Sequence, residues 1–476
     1  MKSVALHNLG CKVNSYEMDV MQQYLQNNGY KIVEFEQKAD IYIINTCTVT
    51  NIADRKSRQM LHRAKKQNPD AIVVAVGCYV QTGLETVELD DCIDLAVGNN
   101  RKKDLIPILE EFLSRREKQA DTSKTLDASS VIDINKENEY EEMQLQRTAE
   151  HTRAYIKIQD GCNQFCSYCI IPFARGRVRS RKPEQVVSEV KELAKNGYKE
   201  VVVTGIHLSS YGLDFYGQSY NQAYDLKNEM IENQPSREEM DRDFRTGANE
   251  LLKLLSMLQN IDGITRIRLG SLEPRVITEE FAARLAELNK VCPHFHLSLQ
   301  SGCDETLKRM NRQYSSKDFE KSVQILRKVY KDVAITTDVI CGFPGETEQE
   351  FLETKTFLEK IKFFEMHIFP YSKRKGTVAA AMPGQLTEKE KKNRCSVFLE
   401  MDKQHSDEYR KSFIGQSQSV LFEQQIERDG EKYQIGHTVN YIKVVLKTDE
   451  DLAGEEVVCN LKEGFGEDAL LGEKIF

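Results

Sequence analysis

Short apolar runs alternate with helical segments along the first quarter of the chain. Runs typical of buried strands occupy residues 4–9, 41–45, 72–76 and 95–97. Helical spacing between them predicts one helix that ends at Gly29 and a second, strongly basic helix that ends before Pro69. Strands that alternate with helices indicate a parallel sheet with helices on its faces. We therefore predict an α/β domain over residues 1–115.

A second series of strands and helices follows a polar, aperiodic segment, 116–147, which we interpret as a linker. Six strands with intervening helices predict a six-unit partial βα barrel over residues 148–385. The polar stretch 213–246 interrupts this alternation after the second strand and is interpreted as an insertion. The strands of the series are expected at 155–158, 200–204, 266–269, 294–299, 334–340 and 365–369.

The last part of the chain has a different pattern. A charged segment, 386–411, is expected to be a connecting helix. From residue 412 onward, short β-type runs are separated by glycines and acidic turns, which predicts a small β-barrel over 412–476. The predicted fold class is therefore α/β, with a parallel-sheet domain, a partial barrel and a small C-terminal β-barrel.

Composition narrows the class of protein. The hydrophobic fraction is 40% and the charged fraction 29%, and no apolar run is long enough to cross a bilayer. The N-terminus lacks a signal-like apolar stretch, so we expect no membrane contact and a cytoplasmic protein. The net charge of −8 argues against a general nucleic-acid binder. Any RNA contact would have to depend on local basic patches.

Three cysteines, Cys162, Cys166 and Cys169, directly follow the first strand of the second series. Loops at the C-terminal mouth of a βα barrel carry its chemistry. A zinc site usually takes four ligands as two separated pairs, and the sequence offers no second pair of that kind. A four-iron cluster held by three thiolates leaves one iron open for an exogenous ligand. The spacing favours such a cluster over its alternative, a zinc-binding or redox-inert loop.

A second set of three cysteines has a common position instead of a common motif. Cys11, Cys47 and Cys78 each come just after the carboxyl end of a predicted parallel strand, and such ends meet at one edge of a sheet. Singly, each has the alternative of being a buried small hydrophobic residue. Together they predict a second three-thiolate site. The remaining cysteines are expected to be packing residues: Cys92, Cys292, Cys303, Cys341, Cys395 and Cys459.

The motifs resemble those of the radical S-adenosylmethionine (SAM) methylthiotransferases. The resemblance runs through nearly the whole chain, including "LGCKVNSYE", "INTCTVT", "GCNQFCSYCIIPFARGRVRSR", "RLGSLEP" and "GFPGET". It implies an N-terminal domain with a second four-iron cluster, a radical SAM barrel and a C-terminal TRAM barrel. One cluster would be held by Cys11, Cys47 and Cys78. The other, held by Cys162, Cys166 and Cys169, would bind SAM at its open iron.

The segments "GCKVN" and "NTCTVTN" most resemble the branch that acts on N6-threonylcarbamoyladenosine beside the tRNA anticodon. The resemblance implies methylthio transfer to C2 of that base at position 37. It also implies the anticodon loop as a partner, an external electron donor and a sulfur source. Alternatives within the family are isopentenyladenosine in tRNA and a ribosomal protein. Outside it, an electron carrier would need no open iron, and an RNA-binding protein with structural clusters should offer four ligands to each.

Further residues are candidates for contacts to SAM and RNA, each with a strand-end or turn role as its alternative. The SAM candidates are Tyr168, Gly205, Ser271, Gln300, Asp338 and Gly342. Arginines beside the cysteine loop are predicted to contact phosphates, with a solvated charge run as the alternative: Arg175, Arg177, Arg179 and Arg181. The basic helix after Cys47 is a weaker RNA candidate, with Arg55, Lys56, Arg58, Arg63, Lys65 and Lys66. The C-terminal segment is acidic, with six basic and thirteen acidic side chains from Ser412 onward.

Overall fold

The computed structural model describes residues 1–88, 90–119, 126–147, 152–216, 237–428 and 430–475. Its first unit is a six-stranded parallel sheet in the order β2-β1-β3-β4-β5-β6. The strands are β1 (Ser3–Asn8), β2 (Lys31–Val33), β3 (Ile41–Thr46), β4 (Ile72–Gly77), β5 (Leu95–Val97) and β6 (Asp127–Ser130). The helices are α1 (Lys12–Asn27), α2 (Asn51–Gln67), α3 (Cys78–Thr82), α4 (Leu84–Val87) and α5 (Leu105–Gln119).

The central strands of this sheet are apolar on both faces because both faces are covered. In β3, Ile41 and Ile43 pack into the core on the side of α1. Tyr42 and Ile44, which alternate with them, pack into a second core on the side of α2. An uninterrupted apolar run is typical of a parallel strand buried in this way. The alternation of strand and helix along the chain therefore predicted the four inner strands, β1, β3, β4 and β5, but not the two edge strands, β2 and β6.

The segment 116–147 is more than the linker that we predicted. Residues 116–119 complete α5, and β6 pairs with β5 to extend the sheet. Ile134 and Met143 are buried, and Tyr16 Oη donates a hydrogen bond to the carbonyl oxygen of Met143. The prediction of an unstructured linker was wrong over the described part of this segment, because its polar residues pair with elements that are distant in sequence.

The second unit has six parallel strands. Its two sheets, β8-β7-β9-β10 and β11-β12-β13, are joined by isolated parallel bridges between Ile267 and Val291 and between Leu272 and Leu297. Among the strands that the structure describes in this unit, only β8 is antiparallel, pairing with β7 at the edge. The strands are β7 (Arg153–Asp160), β8 (Arg179–Ser180), β9 (Glu200–Gly205), β10 (Arg266–Leu269), β11 (His294–His296), β12 (Ala334–Cys341) and β13 (Glu365–Pro370). This is the predicted six-unit partial barrel.

Helices cover the outer face of the barrel, where alternate strand residues form its core. On β12, Ile335 and Val339 belong to this core, so Thr336 and Asp338 face the lumen. The helices are α6 (Ile171–Arg175), α7 (Pro183–Lys195), α8 (Arg237–Leu258), α9 (Glu279–Ala286), α10 (Asp304–Arg309), α11 (Ser316–Val329), α12 (Glu348–Ile361) and α13 (Val378–Ala381).

The segment that we predicted to be an insertion, 213–246, belongs to the barrel at both of its ends. Leu213 is buried, and Asp214 accepts a hydrogen bond from the backbone N–H of Ser180 at 2.9 Å. The last ten residues, 237–246, belong to α8, a barrel helix. The prediction was therefore wrong at both ends, and its middle, 217–236, lies outside the described residues.

A long helix, α14 (Glu388–Lys411), leads to a closed C-terminal barrel, as predicted. Arg266 of the barrel strand β10 fixes this unit, donating to the carbonyl oxygens of Ser419 and His437 and pairing with Glu456. The barrel order is β14-β15-β16-β18-β17, with β14 (Ser417–Arg428), β15 (Glu431–Thr438), β16 (Lys443–Lys447), β17 (Glu456–Phe465) and β18 (Ala469–Lys474). Among the described helices, none combines the length and apolar character needed to span a membrane.

Candidate functional site

One group of cysteines lies at the carboxyl edge of the N-terminal sheet. Cys11 precedes α1, Cys47 follows β3 and Cys78 begins α3, and β1, β3 and β4 are neighbours in the sheet. The three thiols are close enough to interact electrostatically. A Cβ atom at Gly10, where φ is +111°, would lie 3.1 Å from Cys47 Sγ. Glycine thus lets the chain turn tightly beside the thiols.

The other group lies at the mouth of the partial barrel. Cys162, Cys166 and Cys169 form the loop between β7 and α6. Arg312 reaches this loop from the other half of the barrel and donates from Nη1 to Cys166 Sγ at 3.2 Å. Arg312 Nη2 also donates to the carbonyl oxygen of Ser298. The cysteine loop is therefore fastened to both sheets of the barrel.

The donor sets fit iron–sulfur clusters better than they fit thiol catalysis. Burial raises the pKa of Cys11 and Cys169, and raises those of Cys47 and Cys162 to about 12. Thiols with such a raised pKa are poor nucleophiles at neutral pH. A bound metal deprotonates its cysteine ligands, and its charge compensates the thiolates that burial disfavours. Each group offers three thiols, which leaves a coordination position open in a four-iron cluster.

A buried ion cluster connects the two groups of cysteines. The Arg175 guanidinium, six residues after Cys169, bonds to Glu17 of α1 at 2.6 Å and to Asp160 of β7 at 3.2 Å. Lys157 bonds to the same two carboxylates at 2.8 and 2.7 Å, and Lys102 also pairs with Glu17. Burial alone would raise the pKa of Glu17, but Arg175 and the two lysines hold the pKa well below its usual range.

Arg175 also bonds to Asn14, which is close to the N-terminal cysteines. Its Nη2 donates to Asn14 Oδ1 at 2.6 Å. Asn14 Nδ2 in turn donates to the carbonyl oxygens of Leu9 and Thr46, the residues at which the chain approaches Cys11 and Cys47. One side chain from the barrel loop thus helps to fix the turns that carry the other cysteine group.

The arginines that we predicted to contact RNA are buried, so that prediction was wrong. Their relative exposure is 1% for Arg175, 3% for Arg177, 0% for Arg179 and 1% for Arg181. Arg181 pairs with Glu189, and Arg179 donates to the carbonyl oxygen of Arg175. Acidic partners remote in sequence allow these charges to be buried. The basic α2 helix differs, because Arg55, Lys56, Arg58, Arg63 and Lys66 are exposed on it.

The residues proposed to contact SAM fall into small groups around the barrel mouth. Tyr168 packs edge-on against Phe343, which follows Gly342. The backbone N–H of Gln300 donates to the carbonyl oxygen of Asp338 at 2.8 Å. Gly205 ends β9, and Ser271 is exposed after β10. Their contact with SAM stays a prediction.

Packing by itself accounts for glycine at two of these positions. A Cβ atom at Gly205 would lie 3.0 Å from Gln159 Cβ. At Gly342, where φ is +71°, a Cβ atom would lie 2.5 Å from Lys391 Cγ. The fold therefore favours glycine at both positions, most strongly at Gly342, whether or not these residues also contact a ligand.

Two described side chains that donate hydrogen bonds to the cysteine sulfurs, Asn99 and Arg312, were missed from the sequence. Asn99 Nδ2 donates to Cys78 Sγ at 3.5 Å and to the carbonyl oxygen of Ala174 at 2.7 Å. Asn99 follows the carboxyl end of β5, so the rule that selected the cysteines would have found it. Arg312 had no such signal, because it is distant in sequence from the loop that it contacts.

Two family models match the chain. The model described as the radical SAM superfamily matches residues 156–358, which include Cys162, Cys166 and Cys169. The model described as uncharacterized protein family UPF0004 matches residues 3–98, which include Cys11, Cys47 and Cys78. Each matched region thus contains one group of cysteines.

Proteins with curated names are similar over almost the full length. The chain is 40% identical to the threonylcarbamoyladenosine tRNA methylthiotransferase MtaB of Bacillus subtilis (strain 168), over 98% of this chain and 95% of that protein. It is 39% identical to the protein of the same name from Aquifex aeolicus (strain VF5), over 88% and 92%. It is 34% identical to the tRNA-2-methylthio-N(6)-dimethylallyladenosine synthase of Thermoanaerobacter sp. (strain X514), over 95% and 88%.

A solved structure with a similar fold is the radical S-adenosylmethionine methyltransferase TsrM from Kitasatospora setae, determined with tryptophan substrate and a SAM analogue. The superposition has a TM-score of 0.52 with 16% sequence identity and covers 77% of this chain and 73% of that one. At this identity the likeness concerns the fold alone.

Proposed function

The chain belongs to the radical SAM methylthiotransferase family, and from that membership we propose that it transfers a methylthio group to C2 of N6-threonylcarbamoyladenosine at position 37 of tRNA. The two relatives named for threonylcarbamoyladenosine are 40% and 39% identical to it. The relative named for dimethylallyladenosine is 34% identical. This difference supports the threonylcarbamoyladenosine branch over the isopentenyladenosine branch.

The observation that carries the proposal is the ion cluster around Arg175, which ties two three-cysteine groups into one body. The reaction needs two functions at a single carbon: removal of hydrogen and delivery of sulfur. Arg175 bonds to Glu17 and Asn14 in the N-terminal unit and to Asp160 in the barrel. Fixed placement of both groups around one base supplies the orientation that such a reaction requires.

The residues present fit two four-iron clusters and SAM. In the proposal, Cys162, Cys166 and Cys169 hold the cluster that binds SAM, and Cys11, Cys47 and Cys78 hold the second. When bound, the first cluster and SAM supply the radical that removes hydrogen from C2, and the second supplies the sulfur that is transferred. Arg312 and Asn99 donate hydrogen bonds to one thiolate in each group, and such bonds tune a cluster's reduction potential.

Contacts to SAM beyond the iron are proposed for Tyr168, Gly205, Ser271, Gln300, Asp338 and Gly342. The target base must leave its stack to reach the barrel mouth, which is easiest in the single-stranded anticodon loop. The proposal also requires an external electron donor and a sulfur source, because the residues of the site supply neither. We also propose a cytoplasmic location, which a tRNA substrate supports.

Mass spectrometry of tRNA nucleosides tests the proposal. Cells lacking the protein should lose 2-methylthio-N6-threonylcarbamoyladenosine and accumulate N6-threonylcarbamoyladenosine, while methylthiolated isopentenyladenosine stays unchanged. The wild-type gene should restore the modification, and a gene carrying Cys162→Ala should not. Loss of the methylthio group from isopentenyladenosine instead would assign the protein to the isopentenyladenosine branch of the family. Unchanged tRNA in the deletion strain would reject both.

A further inference from the structure

The lumen of the partial barrel is lined with charged and polar side chains. On its far side, His296 Nε2 lies 3.3 Å from Asp338 Oδ2, and the rings of His296 and His367 stack with centroids 5.7 Å apart. Across from them, Arg268 bonds to Glu200 with Nε–Oε1 at 3.0 Å. The carboxylates of this lumen are thus already paired with cationic or hydrogen-bonding side chains.

Lys12 projects into this lumen from the N-terminal unit. It is the first residue of α1, which packs against β7 and β9. Its charge interacts with those of Arg268 and Asp338 on the barrel strands, and also with that of His367. The side chain is exposed to solvent.

The ammonium group of Lys12 lacks a protein partner. Within the part of the chain that the structure describes, Lys12 Nζ takes part in no hydrogen bond or ion pair. An unpaired cation among protein charges favours an anionic ligand. Because Arg268 holds Glu200 and His296 holds Asp338, the nearby carboxylates are not available to serve as that anion.

The position of Lys12 relates it to the reacting atom. Lys12 is covalently adjacent to Cys11, a proposed ligand of the sulfur-supplying cluster, so C2 of the base must come close to it. In adenine, C2 and C6 are both bonded to N1. A substituent on N6 that is turned toward N1 therefore lies on the same edge of the ring as C2. The threonylcarbamoyl substituent ends in a carboxylate and a hydroxyl group, whereas an isopentenyl group is an uncharged hydrocarbon.

We propose that Lys12 binds the carboxylate of the N6-threonylcarbamoyl group and so selects this base over isopentenyladenosine. The inference rests on the proposed function and adds to it the residue that recognises the substituent. Lys12 is a binding residue here and takes no part in breaking or forming bonds.

The test combines a protein variant with a substrate variant. Anticodon stem-loop RNA carrying N6-threonylcarbamoyladenosine is compared with the same RNA carrying the methyl ester, which removes only the negative charge. The reconstituted wild-type protein should modify the acid about 10- to 100-fold more efficiently in kcat/KM than the ester, the range for a hydrogen bond between charged groups. The Lys12→Met variant should modify both RNAs slowly, with nearly the same kcat/KM for the acid and the ester. Lys12→Arg should retain preference for the acid.

Controls separate recognition from assembly. Each variant should hold the same iron per chain as wild type. Lys31→Met, at an exposed lysine on β2, should behave as wild type with acid and ester. The wild-type comparison needs no variant, so it holds even if Lys12→Met assembles poorly.

Two results would overturn the inference: a wild-type enzyme that does not distinguish acid from ester, or a Lys12→Met enzyme that distinguishes them as strongly as wild type. Either would leave the proposed function intact, provided that wild type modifies the acid RNA. Modification of isopentenyladenosine RNA alone would instead reject the proposed function, and the inference with it.

Discussion

At the scale of single residues, the guanidinium of Arg175 joins two units of the protein. It is buried, and it bonds to Glu17, Asp160 and Asn14. The two carboxylates, Glu17 and Asp160, are shared among three cations, because Lys102 and Lys157 pair with them as well as Arg175. Loss of Arg175 removes buried hydrogen bonds from Glu17, Asp160 and Asn14, and breaking a buried ionic network by removing one member is strongly destabilising.

Replacement of Arg175 by Met should therefore destabilise the protein. We expect the free energy of unfolding of the cluster-free protein, from urea titration, to fall by about 3–5 kcal/mol. The control Lys191→Met, at an exposed position of α7, should change it by less than about 0.5 kcal/mol. A decrease below about 1 kcal/mol for Arg175→Met would mean that Lys102 and Lys157 satisfy Glu17 and Asp160 without help.

Position along a strand predicted correctly which cysteines lie at a common edge, and their role as cluster ligands stays a prediction. Cys11, Cys47 and Cys78 were selected because parallel strands end at a common edge, and β1, β3 and β4 do lie side by side. Prediction failed for Arg175 to Arg181, because burial of a cation depends on acids that only the tertiary structure brings near. A run of arginines has the same sequence pattern whether it is solvated or paired.

At the scale of elements, strands buried on both faces could be predicted, and short polar strands could not. In β6, "DASS", the sequence has no apolar alternation, and the strand forms because β5 offers an unpaired edge. Similarly, β8 has two residues and exists through pairing with β7. Helix α8 begins inside the predicted insertion. The sequence analysis missed its start because a polar first turn carries no helical periodicity of apolar residues.

The contact between β13 and α14 contains two carboxyl groups that repel each other. Burial, with repulsion from Asp402, raises the pKa of Glu365 to about 7. Burial also raises the pKa of Asp402 to about 6, although Asp402 accepts a hydrogen bond from the backbone N–H of Met366. The unfolded carboxyls titrate near 4. The folded protein therefore binds more protons between about pH 4 and 7, and stability should fall as the pH rises through this window.

The variant Asp402→Asn should weaken this dependence. Asparagine keeps an acceptor for Met366 and removes the charge that raises the pKa of Glu365. We expect the decrease in unfolding free energy between pH 5 and pH 8 to shrink by about 1–2 kcal/mol relative to wild type. Glu400→Gln, at an exposed position of the same helix, should leave the pH dependence unchanged. An unaltered slope for Asp402→Asn would show that the pair titrates normally.

A basic surface for tRNA is offered by α2 and the loop that follows β13. Asn51 bonds to Ser372 and to the carbonyl oxygen of Lys373, which fixes the loop against the start of α2. Arg55, Lys56, Lys373 and Lys375 are exposed on these two elements. The C-terminal barrel has less positive charge to offer, because four of its basic side chains are paired with acids: Lys443, Lys447, Lys462 and Lys474.

We predict that tRNA binding weakens at least tenfold at about 0.15 M salt when four exposed side chains are replaced by Gln: Arg55, Lys56, Lys373 and Lys375. Binding should weaken because each phosphate contact releases condensed counterions, and the variant makes fewer such contacts. The slope of log K against log salt should become shallower by about 0.7 for each phosphate that the variant no longer neutralises. Fluorescence anisotropy over a salt series measures both quantities. The double variant Lys447→Gln, Lys462→Gln on the C-terminal barrel is the matched control. A larger loss of affinity in the control would indicate that the C-terminal barrel, and not α2, forms the RNA-binding surface.

At the scale of the whole molecule, three units enclose one lumen. Helix α1 of the N-terminal unit packs on β7 and β9 of the barrel. In the C-terminal unit, the ring of Tyr441 lies under the guanidinium of Arg268, with the Arg268 Cζ atom 4.7 Å from the ring centroid. The same ring stacks on His294. The predicted fold class specified the three units. Their arrangement could not be predicted from the sequence, because it depends on buried pairs such as Arg266 with Glu456.

This arrangement predicts that the two cysteine groups can be separated by function. The ion cluster around Arg175 fixes the units without using any cysteine, so the removal of one group should leave the other in place. The triple variant Cys162→Ala, Cys166→Ala, Cys169→Ala should hold about four irons instead of about eight and form no 5′-deoxyadenosine. The triple variant Cys11→Ala, Cys47→Ala, Cys78→Ala should also hold about four irons but still cleave SAM, without transferring methylthio to tRNA. Anaerobic reconstitution with iron and product assays measures all three quantities. SAM cleavage by the first variant, or methylthiolated tRNA from the second, would contradict the assignment of that group.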